Sequence, residues 1–215
     1  MGLHESGFAM LIIGLTGSIA MGKSTTGGQL RRMGVPVHDS DRCVHKLLSP
    51  RGRAFAKVAK EFPQALKKRE IDRIALGKIV YADPQQLEKL ESILHPLVFD
   101  ETRKWIACQH RMGRCMVALD IPLLFEKERE RVCDVILVAS APAFLQRQRA
   151  LTRPNMTPER LKSILAHQLP DYKKRRRADV VIPTGLGLAF SRRALQKAVT
   201  ALSRKQGRKW GPGWK

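Results

Sequence analysis

A glycine-rich octet near the amino terminus constrains the fold of this chain more than any other stretch. Residues Gly17 to Ser24 read GSIAMGKS, which fits the pattern G-x-x-x-x-G-K-[ST]. A random chain of this length would match that pattern roughly once in a hundred. The flanking sequence therefore has to show whether the octet forms a phosphate-binding loop. The apolar run Ala9 to Leu15 predicts a buried strand, and Thr25 to Met33 predicts a helix. A plain turn would not explain the lysine, so this context favours a phosphate-binding loop.

Each part of this loop has an expected role in binding a nucleotide. Successive backbone N–H groups form a concave nest for phosphate oxygens, and the glycines allow a close approach. The lysine of such loops reaches the β- and γ-phosphates, and in this chain that lysine is Lys23. The hydroxyl of Ser24 is expected to hold Mg²⁺. The residues expected to contact ATP are Gly17, Ser18, Ala20, Met21, Gly22, Lys23, Ser24 and Thr25.

Short apolar runs separated by helical stretches predict an α/β fold with a parallel five-stranded sheet flanked by helices. The runs are Ala9–Leu15, Val35–Val37, Met116–Leu119, Val135–Val138 and Val180–Ile182. The stretch between the second and third runs has helical periodicity and is too long for a simple crossover. It predicts an inserted helical, substrate-binding subdomain at about 42–112, in which Asp83-Pro84 begins a helix and His95-Pro96 breaks one.

A second irregular segment, residues 143–171, follows the fourth run and predicts a lid over the phosphates. It carries Arg149 and Arg153, which could stabilise charge on a transferred phosphoryl group. Thr157-Pro158-Glu159 is typical of a helix start, and this helix should continue to Gln168. The alternative is a surface helix with ordinary basic residues, but the phosphate loop makes the lid the better interpretation.

Acidic residues at the ends of two predicted strands are the candidates for the base and a metal ligand. Strand ends in this fold point into the active cleft. Asp41 is therefore the predicted base for the attacking hydroxyl, and Asp39 is its alternative. These residues could instead serve the following helix, with Asp39 or Ser40 as its cap and Asp41 as a dipole partner. Asp120 ends the third run and is predicted to hold Mg²⁺ through water.

The apolar segment IPLLFE follows Asp120 and could form a wall that seats an acyl or pantetheine-like group. A histidine before a proline lies in the predicted helical subdomain, although a lone histidine there is more often structural than functional. The candidate substrate-binding residues are Asp41, His95, Pro122, Leu123 and Leu124.

The composition limits the partners and the location of the chain. A formal net charge of +21 predicts attraction to polyanions, either nucleic acid or phosphate-rich substrates. Aromatic residues are not interleaved with the basic runs, which argues against specific nucleic-acid binding. The four cysteines lack metal-binding spacing, and neither a secretory signal nor an apolar run of membrane-spanning length is visible. These features predict a cytoplasmic protein with no membrane partner, and they leave the oligomeric state open.

Both ends of the chain are predicted to lie outside the folded domain, which spans 10–203. Residues 1–9 contain nothing that suggests structure and are predicted to be flexible, and Met10 is an alternative start. The tail 204–215 mixes basic residues with glycine and is predicted to be disordered.

Several segments between about residues 11 and 200 resemble the dephospho-coenzyme A kinase family in order and spacing. They are GLTGS at 14–18, ST at 24–25, VHDSD at 37–41, LHPLV at 94–98, DIPLLFE at 120–126, Gln146, Arg149, Arg153, Gln168, and ADVVI at 178–182. The resemblance implies a P-loop kinase fold that transfers the ATP γ-phosphoryl group to the ribose 3′-hydroxyl of dephospho-CoA. It implies phosphate and Mg²⁺ contacts at Lys23 and Ser24, a base at Asp41, and lid arginines at Arg149 and Arg153.

Two places depart from the family pattern. The family usually has glycine or a small residue where Ala20 and Met21 stand. After the last strand it usually has Asp or Asn followed by Asn, whereas this chain has Pro183-Thr184-Gly185. This departure argues against side-chain contacts to adenine there, although backbone contacts could serve. Another small-molecule P-loop kinase and a basic nucleic-acid-binding NTPase remain as alternatives. The 120–126 segment argues against the first, and the absent aromatic platform argues against the second.

Overall fold

The computed structural model describes residues 10–211 and residue 214, and these residues form two compact units. One unit contains the described chain up to His38 and from Gln109 onward, and the other contains Asp39–Cys108. The helical subdomain was predicted at 42–112, which is nearly the stretch of the second unit. The predicted flexible segment 1–9 lies outside the described residues.

Strands and helices alternate along much of the described chain. The strands are β1 (Leu11–Thr16), β2 (Val37–Asp39), β3 (Leu66–Lys67), β4 (Glu70–Ile71), β5 (Met116–Asp120), β6 (Val135–Ser140) and β7 (Val180–Pro183). The α-helices are α1 (Lys23–Arg32), α2 (Ser40–Leu48), α3 (Phe55–Glu61), α4 (Arg73–Ala82), α5 (Pro84–Arg111), α6 (Ala143–Leu151), α7 (Pro158–Ala166), α8 (Asp171–Arg177) and α9 (Leu188–Leu202). Short 3₁₀ turns occupy Pro63–Ala65 and Arg129–Val132.

Five of the strands form one sheet in the order β2-β5-β1-β6-β7. Strand β1 pairs in parallel with both β5 and β6, and β6 pairs in parallel with β7. The register places Leu15 beside Asp120 on one side and Leu137 on the other. Strands β1 and β6 are buried along their whole length, which explains their continuous apolar sequence. The predicted fold class, a five-stranded parallel sheet flanked by helices, is confirmed.

An apolar core joins this sheet to α1 and α9. Alternate residues of β1, namely Leu11, Ile13 and Leu15, enter this core because successive side chains of a strand point to opposite faces. Leu30 of α1 and Leu195 of α9 pack against them. This burial fixes the register of β1, and it thereby fixes where the glycine-rich loop leaves the sheet.

The unit Asp39–Cys108 has an apolar core of its own, built around the fully buried Phe62. Three of its helices, α2, α4 and α5, begin at aspartates that accept bonds from backbone N–H groups. Asp83 accepts from Gln85 at 2.8 Å, so the predicted helix start at Asp83-Pro84 is confirmed. Asp72 accepts from Ala75 at 3.1 Å, and this bond is the main reason why the pKa of the Asp72 carboxyl is lowered.

Helix α5 differs from the prediction of a break at His95-Pro96. It runs without interruption from Pro84 to Arg111 with Pro96 inside it, so the predicted break is wrong. A proline inside a helix removes one backbone hydrogen bond and costs about 3 kcal/mol. Buried residues on both sides of the proline, such as Leu94 and Ile106, bury apolar surface that offsets this cost.

The same unit also contains a small hairpin that the sequence analysis did not predict. Strands β3 and β4 pair in antiparallel fashion, with Lys67 opposite Glu70. The two residues between them, Lys68 and Arg69, both have positive φ angles, as a two-residue hairpin turn requires. Glycine or asparagine usually marks such a turn, and here two basic residues occupy it.

The described part of the tail packs against the folded domain, whereas the sequence predicts disorder from residue 204 onward. The Asp134 carboxylate accepts hydrogen bonds from the N–H groups of Arg208 at 2.6 Å and Lys209 at 2.9 Å. The Trp214 side chain is buried, and its indole N–H donates to the Val132 carbonyl at 3.1 Å. The prediction of disorder is therefore wrong for residues 204–211 and 214.

None of the helices among residues 10–211 is both long enough and apolar enough to cross a lipid bilayer.

The four cysteines carry free thiols. Burial raises the pKa of the Cys133 thiol to about 12, so this group stays protonated at neutral pH, and Cys115 is exposed.

Candidate functional site

The glycine-rich loop connects β1 to α1 in the predicted order of strand, loop and helix. Gly22 precedes α1 with a φ of +87°, a left-handed conformation that glycine adopts without strain. No described side chain caps α1 at this position, so the N–H groups of its first turn are left for an anionic ligand. Ser24 and Thr25 are exposed in this turn. The loop thus has the form that phosphate binding requires.

Ser18 gives the loop a donor that fits a phosphate. Its hydroxyl is buried and has no hydrogen-bond partner among the described residues. Leaving a buried hydroxyl unpaired costs about 1–3 kcal/mol, and a phosphate oxygen is an acceptor that would remove this cost. The loop itself is held closed by the Met21 N–H, which donates to the Ser18 carbonyl at 3.1 Å. Ala20 between them has a φ of +60°, an uncommon conformation for a residue with a side chain.

The loop lysine meets the acid at the end of the neighbouring strand. Lys23 forms an ion pair with Asp120, and their side chains are only 16% and 6% exposed. They meet because β5 ends beside β1, whose last residue leads into the loop. Helix α1 also approaches this acid closely, since a Cβ on Gly27 would lie 3.6 Å from Asp120 Oδ2. The structure therefore brings together Lys23, the predicted phosphate-binding residue, and Asp120, the predicted metal ligand.

Arg149 reaches the loop through Thr184. It lies on α6 and donates from a guanidinium nitrogen to the Thr184 carbonyl at 2.8 Å. The Thr184 hydroxyl in turn donates to the Met21 carbonyl at 2.7 Å. The sequence pattern relates position 184 only to adenine contacts, and no sequence signal indicates that this residue supports the loop. The second predicted lid arginine, Arg153, is exposed just beyond the end of α6.

One residue of the predicted apolar wall after Asp120 is not available to a ligand in the structure. Pro122 and Leu123 are half-buried and keep some exposed surface. Leu124 has none, and it packs so closely on Gly14 that a Cβ there would clash with it. Leu124 therefore belongs to the core, which corrects its prediction as a wall residue. The Pro122 carbonyl accepts a bond from the Thr16 hydroxyl at 3.0 Å, which ties this segment to the end of β1.

The other candidates lie in the unit Asp39–Cys108. Asp39 caps α2 by accepting a hydrogen bond from the Arg42 N–H at 2.9 Å, which is one of the two roles that the sequence left open for it. Asp41 is exposed in the first turn of α2. His95 is half-buried in the middle of α5. Of the two aspartates, only Asp41 has no capping role in the structure.

These features define the class of protein. A parallel sheet whose central strand leads into a phosphate loop, with the loop lysine paired to an acid at the same edge, is typical of P-loop phosphotransferases. The sequence pattern of the dephospho-CoA kinase family matches residues 11–188. The chain belongs to the dephospho-CoA kinase family.

Individual proteins are similar to this chain over nearly its full length. A dephospho-CoA kinase from Rhodospirillum rubrum is 49% identical over 204 residues, which cover 94% of this chain and 96% of the relative. The crystal structure of TT1252 from Thermus thermophilus superposes with a TM-score of 0.81 at 33% identity, covering 90% of this chain and 97% of the other. The dephospho-CoA kinase from Campylobacter jejuni gives a TM-score of 0.68 at 26% identity, again covering 90% and 97%.

Proposed function

We propose that this chain transfers the γ-phosphoryl group of ATP to the ribose 3′-hydroxyl of dephospho-CoA, which yields coenzyme A and ADP, the last step of coenzyme A synthesis. The family match over residues 11–188 is the observation that carries the proposal. The phosphate loop with its buried Ser18 hydroxyl and its Lys23–Asp120 pair supplies the site that such a transfer needs. In the reaction the bond between the γ-phosphorus and the β,γ-bridging oxygen breaks, and a bond to the 3′-oxygen forms.

The loop residues act by positioning and charge. Catalysis of phosphoryl transfer consists mostly of orientation and electrostatic stabilisation, because the transition state spreads charge over the phosphoryl oxygens. The first-turn N–H groups of α1 and the Lys23 ammonium hold the phosphates. Arg149 and Arg153 are the groups we assign to the lid, where they would stabilise charge on the transferred group. The contact of Arg149 with Thr184 supports this for the first of the two.

Asp41 is the group that we assign as the base. It accepts the proton of the 3′-hydroxyl as the oxygen attacks, and it returns that proton to solvent. Its exposure in the first turn of α2 supports this role, because it leaves the carboxylate available to a substrate. His95, Pro122 and Leu123 remain proposed substrate contacts, and the half-buried Pro122 and Leu123 could seat the pantetheine arm.

Mg²⁺ is the proposed cofactor, and the residues present fit it. The Ser24 hydroxyl and the Asp120 carboxylate are oxygen ligands of the kind that Mg²⁺ prefers, and it needs only one or two protein ligands beside phosphate and water. Bound there, the ion would neutralise negative charge on the β- and γ-phosphate oxygens. We also propose that the protein acts in the cytoplasm, with no specific nucleic-acid partner.

A coupled assay of ADP release tests the reaction. Dephospho-CoA, adenosine, shikimate and RNA are offered separately with ATP and Mg²⁺, and we expect rapid ADP release with dephospho-CoA alone. Mass analysis of the product should show one added phosphate. Turnover with shikimate or adenosine in place of dephospho-CoA would overturn the proposed acceptor, and RNA-stimulated ATP hydrolysis would favour the nucleic-acid alternative.

A further inference from the structure

Two glutamine side chains, distant in sequence, hold a single residue of the phosphate loop. Gln146 Nε2, on α6, donates a hydrogen bond to the Ile19 carbonyl at 3.0 Å. The Ile19 N–H donates to Gln168 Oε1, just beyond α7, at 2.9 Å. Both backbone polar groups of Ile19 are therefore bound by side chains from the segment 143–171.

Apolar packing joins the same parts of the molecule. Ala20 of the loop forms a buried cluster with Ala150 of α6 and Leu161 of α7, and Ile19 packs against this cluster. Gln146 lies beside it and is itself buried. The loop thus contacts the segment 143–171 through its apolar side chains and through its backbone, which leaves Ile19 little freedom to move.

The residue after Gln168 is anchored by a buried ion pair. Its Leu169 N–H donates to Glu126 Oε1 at 2.7 Å, and the same oxygen lies 2.9 Å from Lys174 Nζ. Lys174 has no exposed surface, and it also donates to the Pro122 carbonyl at 3.4 Å. Gln168 is therefore held in place by the segment that follows β5.

We propose that Gln146 and Gln168 are positioning residues that fix the orientation of the Ile19 peptide groups for binding of the ATP phosphates. This rests on the proposed function, because ATP is the ligand whose phosphates the loop would hold. The bond to Gln168 takes the Ile19 N–H out of the set of loop donors, so the remaining N–H groups define the nest. Small errors in such positioning slow a transfer reaction strongly.

The two glutamines have opposite roles in their hydrogen bonds to Ile19, and this difference provides a sharp test. Gln146 serves Ile19 as a donor, and Gln168 serves it as an acceptor. An ionised carboxylate only accepts hydrogen bonds. Gln168→Glu therefore keeps its bond to Ile19, whereas Gln146→Glu places a carboxylate against a carbonyl. Both variants carry the same new charge, and Gln148→Glu, at an exposed position of α6, is the matched control.

We expect kcat/KM for ATP to fall by about 100-fold in Gln146→Glu and by less than about tenfold in Gln168→Glu. The Gln148→Glu control should stay within about twofold of the parent, and KM for dephospho-CoA should change little in all three. Equal losses in the Gln146 and Gln168 variants would overturn the proposal. So would a loss that appears in KM for dephospho-CoA as strongly as in KM for ATP.

Binding of ADP and adenosine gives a measurement that does not depend on turnover. Gln146→Met and Gln168→Met remove either bond without adding charge, and each melting temperature is measured first to select folded protein. Calorimetric titration should show ADP affinity reduced by about tenfold, with adenosine affinity unchanged, because only ADP has phosphates for the loop. Parental ADP affinity in both folded variants would overturn the positioning role. If the parent fails to phosphorylate dephospho-CoA, the proposed function is wrong, but this comparison still decides the role of the glutamines.

Discussion

At the scale of single residues, the ion pair between Lys23 and Asp120 links activity to stability. The Lys23→Ala variant should lose at least about 100-fold in turnover, because one missing contact to the transition-state charge costs about 3 kcal/mol. It should also unfold at lower temperature, because the nearly buried Asp120 carboxylate loses its ion pair with Lys23. ADP release and thermal unfolding measure the two effects.

The double variant Lys23→Ala with Asp120→Asn separates these effects. Removing the negative charge of Asp120 as well should restore most of the lost stability, while turnover stays low. Lys197→Ala, at an exposed position of α9, is the control for loss of a positive charge. Near-parental turnover in Lys23→Ala would show that this loop is not the phosphate site.

The two aspartates after β2 should differ in what their substitution changes. Asp41→Asn should lower kcat far more than it raises KM for ATP, because a base acts in the transition state. Asp39→Asn should keep normal kcat, since asparagine also caps a helix, whereas Asp39→Ala should reduce the free energy of unfolding by about 1 kcal/mol. Steady-state kinetics and urea unfolding give these values. An inactive Asp39→Asn beside an active Asp41→Asn would assign the base to Asp39.

At the scale of elements, the sequence predicted those strands, caps and loops that depend on the local pattern of residues. Strands β1, β5 and β6 follow from apolar runs, because a strand buried on both faces has no polar alternative. Strand β2 overlaps its predicted run only at Val37, and its other residues are His38 and Asp39. Thr157 accepts a bond from the Arg160 N–H at 3.2 Å and caps α7 as predicted, since a cap depends only on neighbours along the chain. The glycine-rich octet likewise fixed the position of the phosphate loop between β1 and α1.

Elements that depend on distant contacts escaped prediction. Helix α5 continues through Pro96 because packing within its own unit outweighs a local penalty. The Leu124 side chain looked available for a ligand, but its burial against Gly14 is visible only when β1 and the segment after β5 are folded together. The support of Ile19 by Gln146 and Gln168 spans more than a hundred residues of sequence, and no local pattern reveals it.

Helix α8 is docked by a buried charge, and this makes a testable prediction. Lys174→Ala should reduce the free energy of unfolding by about 3 kcal/mol, because it leaves the Glu126 carboxylate without a cation. Lys173→Ala, one residue earlier and exposed, should have almost no effect. Urea unfolding measures both variants.

The same ion pair can be replaced by neutral groups. Lys174→Met together with Glu126→Gln should recover most of the lost stability, because glutamine still accepts the bond from the Leu169 N–H. A double variant no more stable than Lys174→Ala would show that the unpaired Glu126 charge is not the source of the cost.

At the scale of the whole molecule, the tail shows how composition can mislead. Basic and glycine-rich segments usually lack the apolar surface needed to fold. Here the partner is Asp134, which also accepts a bond from the Ile12 N–H at 2.8 Å and so joins the tail to the start of the sheet. Gly207 permits the approach, since a Cβ there would overlap the Met10 carbonyl. Residues more than seventy positions apart in sequence make these contacts, so the sequence alone predicts disorder.

Removal of residues 204–215 should therefore destabilise the protein without stopping the reaction. The free energy of unfolding should fall by about 2 kcal/mol from exposure of apolar surface around Trp214 alone. Turnover measured well below the unfolding midpoint should remain, because the tail contacts the starting ends of β1 and β6, whereas the phosphate loop follows the other end of β1.

Charge and packing in the tail can be tested apart from each other. Nonspecific RNA binding at low salt should weaken on truncation, since it scales with the number of phosphate contacts. The full-length double variant Arg204→Gln with Lys205→Gln removes exposed charges but keeps the contacts to Asp134 and Val132. It should weaken RNA binding and leave the unfolding midpoint unchanged. A truncated protein as stable as the parent would contradict the docking of the tail, and a folded but inactive one would place the tail in the active site.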